Sequence, residues 1–207
     1  DRILVAGNLE RIPHKDLPLP NVEEIKKSVK PYTKKGNWMI DVYDDVLEEH
    51  NAILVDEEVK KLSWKYDYPS EPSKPNKHWH VLAGHNIDEC NKNGFEFVEP
   101  IWNSIQKNYE VNMERVYFNA HTHGIEPHIH QDDGDLTMIY YPRMDWTAED
   151  GGGTMVQEKD RHPTYLQYIG NRLIAFTASL PHQGQPVSRE CYKLRTVIVF
   201  KTIWYRT

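Results

Sequence analysis

Apolar positions follow two different periods along the chain, and the change falls near residue 115. Within FVEPIWNSIQKNYE, the apolar residues Val98, Ile101 and Ile105 and the aromatic Tyr109 recur at intervals of three and four residues. This interval places all four side chains on one stripe of a helix, so the pattern predicts a helix over residues 97–110.

Two shorter segments before this helix also show helical signals. Residues 20–30, PNVEEIKKSVK, offer Asn21 as an N-cap and Glu24 at the capping-box position. Residues 56–64, DEEVKKLSW, predict one or two further turns that begin at Asp56. The three prolines in residues 68–78 predict a loop between these turns and the longer helix.

After residue 115 the pattern changes to short runs rich in β-branched and aromatic residues, separated by Gly, Pro and Asp. The runs are RVYFNAH (115–121), LTMIYY (136–141), GTMVQ (153–157), RLIAF (172–176) and LRTVIVFKTIWY (194–205). Several short strands without an intervening helical period predict an antiparallel sandwich or barrel. Because side chains converge in the mouth of a small barrel, we expect the chemistry in this half of the chain.

The bulk composition narrows the class of protein. With 207 residues and 39% hydrophobic content, we expect one globular domain: a support region over residues 1–110 and a core over residues 111–207. The net charge of −6 gives no general reason to expect nucleic-acid binding. The sequence has no long apolar run, so we expect no membrane span or signal peptide. Cys90 and Cys191 lack a CxxC partner, which favours a reduced, soluble protein of the cytoplasm.

The candidate metal ligands lie in HIHQDDGD, residues 128–135. On a strand, His130 and Asp132 would project from the same face, and His182, after the strand NRLIAF, is the candidate third ligand. Two histidines and one carboxylate are the ligand set of non-haem Fe(II) oxygenases, although an HxD triplet alone is weak evidence. The alternative is a cupin-like set, in which His128 and Asp135 replace Asp132.

Two blocks of the second half resemble the oxygenases that depend on 2-oxoglutarate and Fe(II), and within them the prolyl 4-hydroxylase branch. LTMIYYPRMDWTAEDGGGTMVQE is similar to a strand, turn and strand of the hypoxia-factor prolyl hydroxylases, and NRLIAFTASLPHQGQPVSRECYKLRTVIVF is similar to their last segment. The resemblance covers roughly residues 115–204. It implies a mainly β fold, a double-stranded β-helix (jelly-roll, cupin-like barrel) core with supporting N-terminal helices.

The resemblance also implies roles for individual residues. His130, Asp132 and His182 match the Fe(II) ligands of the family. Arg195 matches the basic residue that binds the distal carboxylate of 2-oxoglutarate, with Lys193 as the competing candidate, and Tyr141 matches a tyrosine whose hydroxyl reaches the same carboxylate. Asn119 matches a cosubstrate-binding asparagine of the branch that demethylates nucleic acids.

The implied activity is the hydroxylation of an unactivated C–H bond, with Fe(II) as cofactor, 2-oxoglutarate and O2 as cosubstrates, and ascorbate as reductant. Succinate and CO2 are the coproducts. The substrate that the resemblance favours is a prolyl residue of a peptide or protein. A free amino acid, another small molecule or a nucleobase is the alternative, and a cupin-like metal-binding protein without this activity is a second one.

Overall fold

Two antiparallel sheets, one of seven strands and one of three, form the frame of the molecule. The structure is a computed structural model that describes residues 40–69, 76–158 and 161–205, all within one unit of the chain, Pro31–Thr207. The strands are β1 Ile40–Tyr43, β2 Lys65–Tyr68, β3 His78–Gly84, β4 Val111–His121, β5 Leu136–Tyr141, β6 Thr154–Val156, β7 Thr164–Leu166, β8 Arg172–Thr177, β9 His182–Gly184 and β10 Arg195–Trp204. The α-helices are α1 Glu49–Lys60, α2 Ile87–Lys92 and α3 Glu99–Asn108.

Strand β10 lies in the middle of the large sheet, whose order is β1-β8-β5-β10-β4-β3-β2. It pairs with β4 along its whole length on one side, and its residues 198–202 pair with β5 on the other. The small sheet has the order β7-β6-β9. The chain is therefore mainly β with antiparallel pairing, as the sequence predicts.

The large sheet buries apolar side chains on both of its faces. Alternate residues of β5 and β10 belong to different clusters: Met138 and Ile198 lie in the core shared with the helices, whereas Ile139 and Val197 lie in the core shared with the small sheet. A strand that is covered on both faces reads as a continuous apolar run. All six residues of LTMIYY are buried, and this explains why the strand has no polar alternation.

The helices cover one face of the large sheet. In α1, Ala52, Val55 and Val59 are buried, and in α3 so are Ile101 and Ile105. The apolar stripe that predicts a helix over residues 97–110 is thus confirmed, with a short 3-10 turn before the α-helix. Its burial against the sheet is the main source of helix stability here, since short helices are marginal on their own.

The predictions for the first half need corrections. The helix predicted over residues 56–64 is α1, which begins at Glu49, so Asp56 is an interior helix residue and its buried carboxylate pairs with Arg143. Strands β2 and β3 extend into the two ends of the segment 68–78, whose residues 70–75 lie outside the described ranges. The helix predicted over residues 20–30 also lies outside the described residues.

Asn171 links the segment before α1 to the large sheet. It is buried and has a φ of 62°. Its Oδ1 accepts hydrogen bonds from the Leu47 backbone N–H at 2.9 Å and from the Tyr140 hydroxyl at 3.0 Å, and its Nδ2 donates to the Leu47 carbonyl at 2.8 Å. Asparagine tolerates the left-handed region better than most residues, so both its backbone and its side chain suit this position.

We expect Asn171→Ala to lower the free energy of unfolding by about 3 kcal/mol, because it removes three buried hydrogen bonds. Asn171→Gly loses the same bonds but removes the backbone strain. Its free energy of unfolding should therefore be about 1 kcal/mol higher than that of Asn171→Ala. Arg172→Gln is the control, since its ion pair with the exposed Asp44 is worth at most about 1 kcal/mol. Urea unfolding measures all three, and a loss below about 1 kcal/mol for Asn171→Ala would contradict this role.

Candidate metal centre

His130, Asp132 and His182 converge at one point, although no strand face brings the first two together. One atom of each lies within 4.8 Å of the others, and they are the one such group of three His, Cys, Asp or Glu residues in the described ranges. His130 is an isolated bridge residue and Asp132 lies in an irregular segment, so the strand predicted around them is wrong. Their convergence is nevertheless as expected.

Backbone hydrogen bonds position these residues. The His130 N–H donates to the His182 carbonyl at 3.0 Å, and the His182 N–H donates back to the His130 carbonyl at 2.9 Å. The Asp132 N–H donates to the carbonyl of Ala178, just after β8, at 2.9 Å. The irregular segment is therefore fixed to β9 and to the end of β8 at both of its candidate ligands.

Both histidine rings are oriented by their Nδ1 atoms. His130 Nδ1 lies 2.9 Å from the carbonyl of His128, and His182 Nδ1 lies 2.8 Å from the carbonyl of Leu180. A ring that donates through Nδ1 keeps the lone pair on Nε2, the atom that then binds metals. Burial lowers the pKa of His182 to about 4, which favours the neutral ring that coordination needs.

Asp132 lies between the two rings. Its Oδ1 is 3.6 Å from His130 Nε2, and its Oδ2 is 3.1 Å from His182 Nε2. Two neutral imidazoles and one carboxylate are donors that suit a borderline divalent metal such as Fe(II). The residues present therefore fit the metal that the sequence predicts.

Lys201 is a residue of this centre that sequence reasoning missed. It is buried on β10, and its ammonium contacts Asp132 Oδ2. The same oxygen accepts a hydrogen bond from the Thr137 hydroxyl at 2.7 Å. Burial lowers the pKa of Lys201 to about 6, with a further lowering by Arg115 and an opposing effect of the Glu114 carboxylate.

Arg195 lines the same pocket as the three candidate ligands. It is buried, its Nε donates to the Gly152 carbonyl, and its Nη2 donates to the Gly153 carbonyl at 3.2 Å. Gly152 has a φ of 72°, and a Cβ there would lie 2.9 Å from the Arg195 Cδ, so only glycine fits. Two of the glycines in the EDGGGT segment thus hold the guanidinium in place.

Lys193 does not share the position of Arg195. It precedes β10, and its ammonium binds the Asp145 carbonyl at 2.7 Å and the Asp150 carboxylate. It does not line the pocket. Since Lys193 has partners elsewhere, the geometry favours Arg195 as the residue that meets an anionic ligand.

Tyr141 lies behind the pocket wall. Its hydroxyl donates to Thr154 Oγ1 at 2.7 Å, and it is Thr154 that lines the pocket. Tyr141 itself is fully buried and stacks on Tyr168 at 4.3 Å between ring centroids. Sequence reasoning identified Tyr141 and predicted the strand that carries Thr154, but it did not single out Thr154 as a pocket residue.

Asn119, on β4, also lines the pocket. Its Oδ1 lies 2.9 Å from Nδ1 of His80, its register partner on β3, and the His80 ring stacks on Tyr68 at 3.9 Å. Burial lowers the pKa of His80, so its neutral ring donates this hydrogen bond. The Asn119 side chain also interacts with the ring of His78.

The cupin-like set is not assembled. His128 contributes its backbone carbonyl to His130. Asp135 Oδ2 accepts a hydrogen bond from the Trp204 N–H at 2.9 Å, and Asp133 pairs with Arg115. Neither His128 nor Asp135 joins the group of three. The two cysteines in the described ranges, Cys90 and Cys191, are unpaired.

No helix among residues 40–69, 76–158 and 161–205 is long and apolar enough to cross a membrane.

Comparison with known proteins gives a match to one family model and a likeness of fold to solved structures. A model of the 2OG-Fe(II) oxygenase superfamily matches residues 108–206. No curated protein sequence matches the chain. A Trichoplax adhaerens prolyl hydroxylase, solved with a peptide fragment of a hypoxia-inducible factor, is 14% identical at a TM-score of 0.60, covering 79% of this chain and 83% of that one.

Two further solved structures are similar. A Pseudomonas putida prolyl-4-hydroxylase is 12% identical at a TM-score of 0.56, with coverage of 81% of this chain and 92% of that one. HygX from Streptomyces hygroscopicus, with nickel and 2-oxoglutarate bound, is 9% identical at a TM-score of 0.56, covering 80% of this chain and 82% of that one. At these identities the likeness concerns the fold, and it confirms the jelly-roll core.

We expect Asp132→Ala to weaken Co(II) binding by more than about 100-fold, because it removes a direct ligand and not an outer partner. His128→Ala is the matched control. It keeps the backbone carbonyl that holds His130, so affinity should change by less than about tenfold. Calorimetric titration measures both, and metal binding lost in His128→Ala but kept in Asp132→Ala would support the cupin-like set instead.

Proposed function

We propose that this chain, of which residues 108–206 match a model of the 2OG-Fe(II) oxygenase superfamily, is an oxygenase of that kind and hydroxylates prolyl residues of a peptide or protein with Fe(II), 2-oxoglutarate and O2. The observation that carries the proposal is the meeting of His130, Asp132 and His182 with Arg195 around a single pocket. A metal at the first three residues and a dicarboxylate that reaches the fourth account for this arrangement. Ascorbate is the proposed reductant.

His130, Asp132 and His182 would hold the iron. When bound, Fe(II) supplies the O2 chemistry that turns a C–H bond into a C–OH bond while 2-oxoglutarate becomes succinate and CO2. The role of the chain is to hold the ligands in place. The carbonyls of His128 and Leu180 fix the two rings so that each Nε2 faces Asp132.

Arg195 is proposed to bind the distal carboxylate of 2-oxoglutarate. A guanidinium forms two parallel hydrogen bonds with a carboxylate, and burial strengthens them. Arg195 is already oriented by the Gly152 and Gly153 carbonyls, so little ordering is needed when the ligand binds. Ile139, Val197 and Val199 line the pocket between the charged groups and keep water from the reacting atoms.

A peptide substrate is supported by the surface next to the pocket. Strand β2 is the last strand of the large sheet among the described residues, and a groove runs along β2 and β3 beside His80. Tyr66 and Tyr68 in this groove are about half exposed, at 53% and 45%. An edge strand of this kind, with exposed aromatic side chains, suits an extended peptide. Two of the similar folds are those of prolyl hydroxylases.

A small-molecule substrate is the second candidate. It is supported by the similarity of the fold to HygX, which has been solved with hygromycin B bound and has the same TM-score, 0.56, as the Pseudomonas putida prolyl-4-hydroxylase. The chemistry at the metal would be the same, and only the groups outside the pocket would differ.

We expect the purified protein with Fe(II), ascorbate and 2-oxoglutarate to form succinate, and to add one oxygen, about 16 Da, to proline-containing peptides but not to the same peptides with alanine in place of proline. Asp132→Ala should abolish both products, since it removes a metal ligand. Mass spectrometry measures both products, the oxygen added to the peptides and the succinate formed.

Oxygen added to a small molecule and to no peptide would replace the prolyl substrate with the second candidate. Absence of succinate from the wild type with every substrate, under conditions in which it binds Co(II), would contradict the oxygenase activity itself.

A further inference from the structure

The wall of the pocket continues onto the outer part of the large sheet. Tyr117 and Asn119 of β4 line the pocket. Their register partners on β3, Leu82 and His80, line the groove along β2 and β3. Side chains of directly opposed residues lie on the same face of a sheet, so the pocket and the groove share one face. A substrate whose reacting group enters the pocket can therefore extend over the groove.

Two side chains of β2 lie on this face because the strand contains a bulge. Lys65 is opposite His80 on β3. Three residues later Tyr68 is opposite His78, which is only two residues from His80, so β2 has one extra residue here. Asp67, within the bulge, has a φ of 96°, which residues other than glycine seldom adopt. A bulge changes the face to which the following side chain points, and this one brings Tyr68 to the face of Lys65.

Tyr68 gives the groove a fixed aromatic surface. Its ring stacks on the His80 ring, with 3.9 Å between the centroids and 10° between the planes. Tyr68 is nevertheless 45% exposed, and Leu82, also on this face, is 48% exposed. An aromatic side chain that is held in place and still exposed offers contact area at a low cost in conformational entropy.

Lys65 gives the groove a positive charge. It is exposed and forms no ion pair with another residue of the described ranges. The acidic residue of the groove, Asp67, is paired with Lys77 at 2.8 Å. His80 is neutral, since burial lowers its pKa. The groove therefore attracts a negative group, although the net charge of the whole chain is −6.

We infer that the groove binds the part of a peptide substrate that flanks the reacting residue, and that Lys65 selects an acidic side chain there. Tyr68 and Leu82 contact the apolar part of the same segment. The inference rests on the proposed function, because it takes a peptide as the substrate and the pocket as the place of reaction.

The strand spacing gives the position of the acidic residue. Asn119, at the pocket, and Lys65 lie on strands separated by β3. Two strand spacings are about 10 Å, and an extended peptide advances about 3.3 Å per residue. The acidic side chain should therefore lie about three residues from the reacting proline.

The test is a double-mutant cycle between the peptide and Lys65. Short proline-containing peptides carry a glutamate about three residues from the proline, on one side or the other, and matched peptides carry glutamine instead. Each is titrated by calorimetry into the protein with Mn(II) and 2-oxoglutarate. With the glutamate on one of the two sides, we expect the wild type to bind the glutamate peptide about threefold more tightly, as an exposed ion pair allows. In Lys65→Met the two affinities should be equal.

Lys61→Met is the matched control. Lys61 is an exposed lysine that lies outside the groove and pairs with Glu58. This variant should keep the preference for the glutamate peptide. Tyr68→Ala should weaken the glutamate and glutamine peptides by the same factor, about fivefold, because it removes aromatic surface and no charge.

Equal binding of the two peptides by the wild type would overturn the inference. A preference that persists in Lys65→Met, or peptide affinities unchanged in Tyr68→Ala, would also overturn it. In each case hydroxylation of the prolyl peptides would leave the proposed function standing. If no prolyl peptide binds or gains oxygen while a small molecule does, the prolyl substrate and the inference both fail.

Discussion

The candidate site depends on one pair of reciprocal backbone hydrogen bonds, between His130 and His182. The segment that carries His130 and Asp132 has no regular secondary structure to fix its side chains. The pair ties this segment to β9, and the bond from Asp132 to Ala178 ties it to the end of β8. Without these three bonds nothing would hold the His130 imidazole and the Asp132 carboxylate close to the imidazole of His182. The short strand β9 thus matters more for the site than its length suggests.

Strand β10 supplies the other half of the site. It is paired with β4 throughout and with β5 from residue 198 to residue 202, which fixes its alternation, and one face carries Arg195, Val197, Val199 and Lys201 in order. The guanidinium lines the end of the pocket where we propose that the anion binds, and the ammonium contacts Asp132 at the proposed metal end. The two valines between them form a dry wall. A single strand therefore combines charge at both ends with an apolar middle.

The sequence predicted the second half of the chain better than the first, for a physical reason. LTMIYY and RTVIVF are buried on both faces of the sheet, and such strands read as continuous apolar runs. Strand β2 is exposed along its whole length and β3 has mixed burial, so neither shows this signal. Helix α1 begins seven residues before Asp56 because its apolar face starts at Ala52, not at the polar residue that resembled a cap.

The convergence of the three candidate ligands was predictable, but part of their surroundings was not. His130, Asp132 and His182 converge as expected, yet through hydrogen bonds to an irregular segment, which no periodicity can reveal. Lys201 was overlooked because lysine is almost never buried unless paired, and the partner here is 69 residues away in sequence. Thr154 and His80 act on the pocket through contacts between strands, which a single sequence does not show.

The central claim is that the metal ligands and Arg195 hold one molecule between them. Calorimetric titration of 2-oxoglutarate into the Mn(II)-loaded protein tests it most directly. Arg195→Met should weaken binding by about 100-fold through the loss of charge-assisted hydrogen bonds, and so should omission of the metal, whereas Lys193→Met should leave affinity nearly unchanged. Equal 2-oxoglutarate affinity with and without metal, or a loss confined to Lys193→Met, would contradict the account.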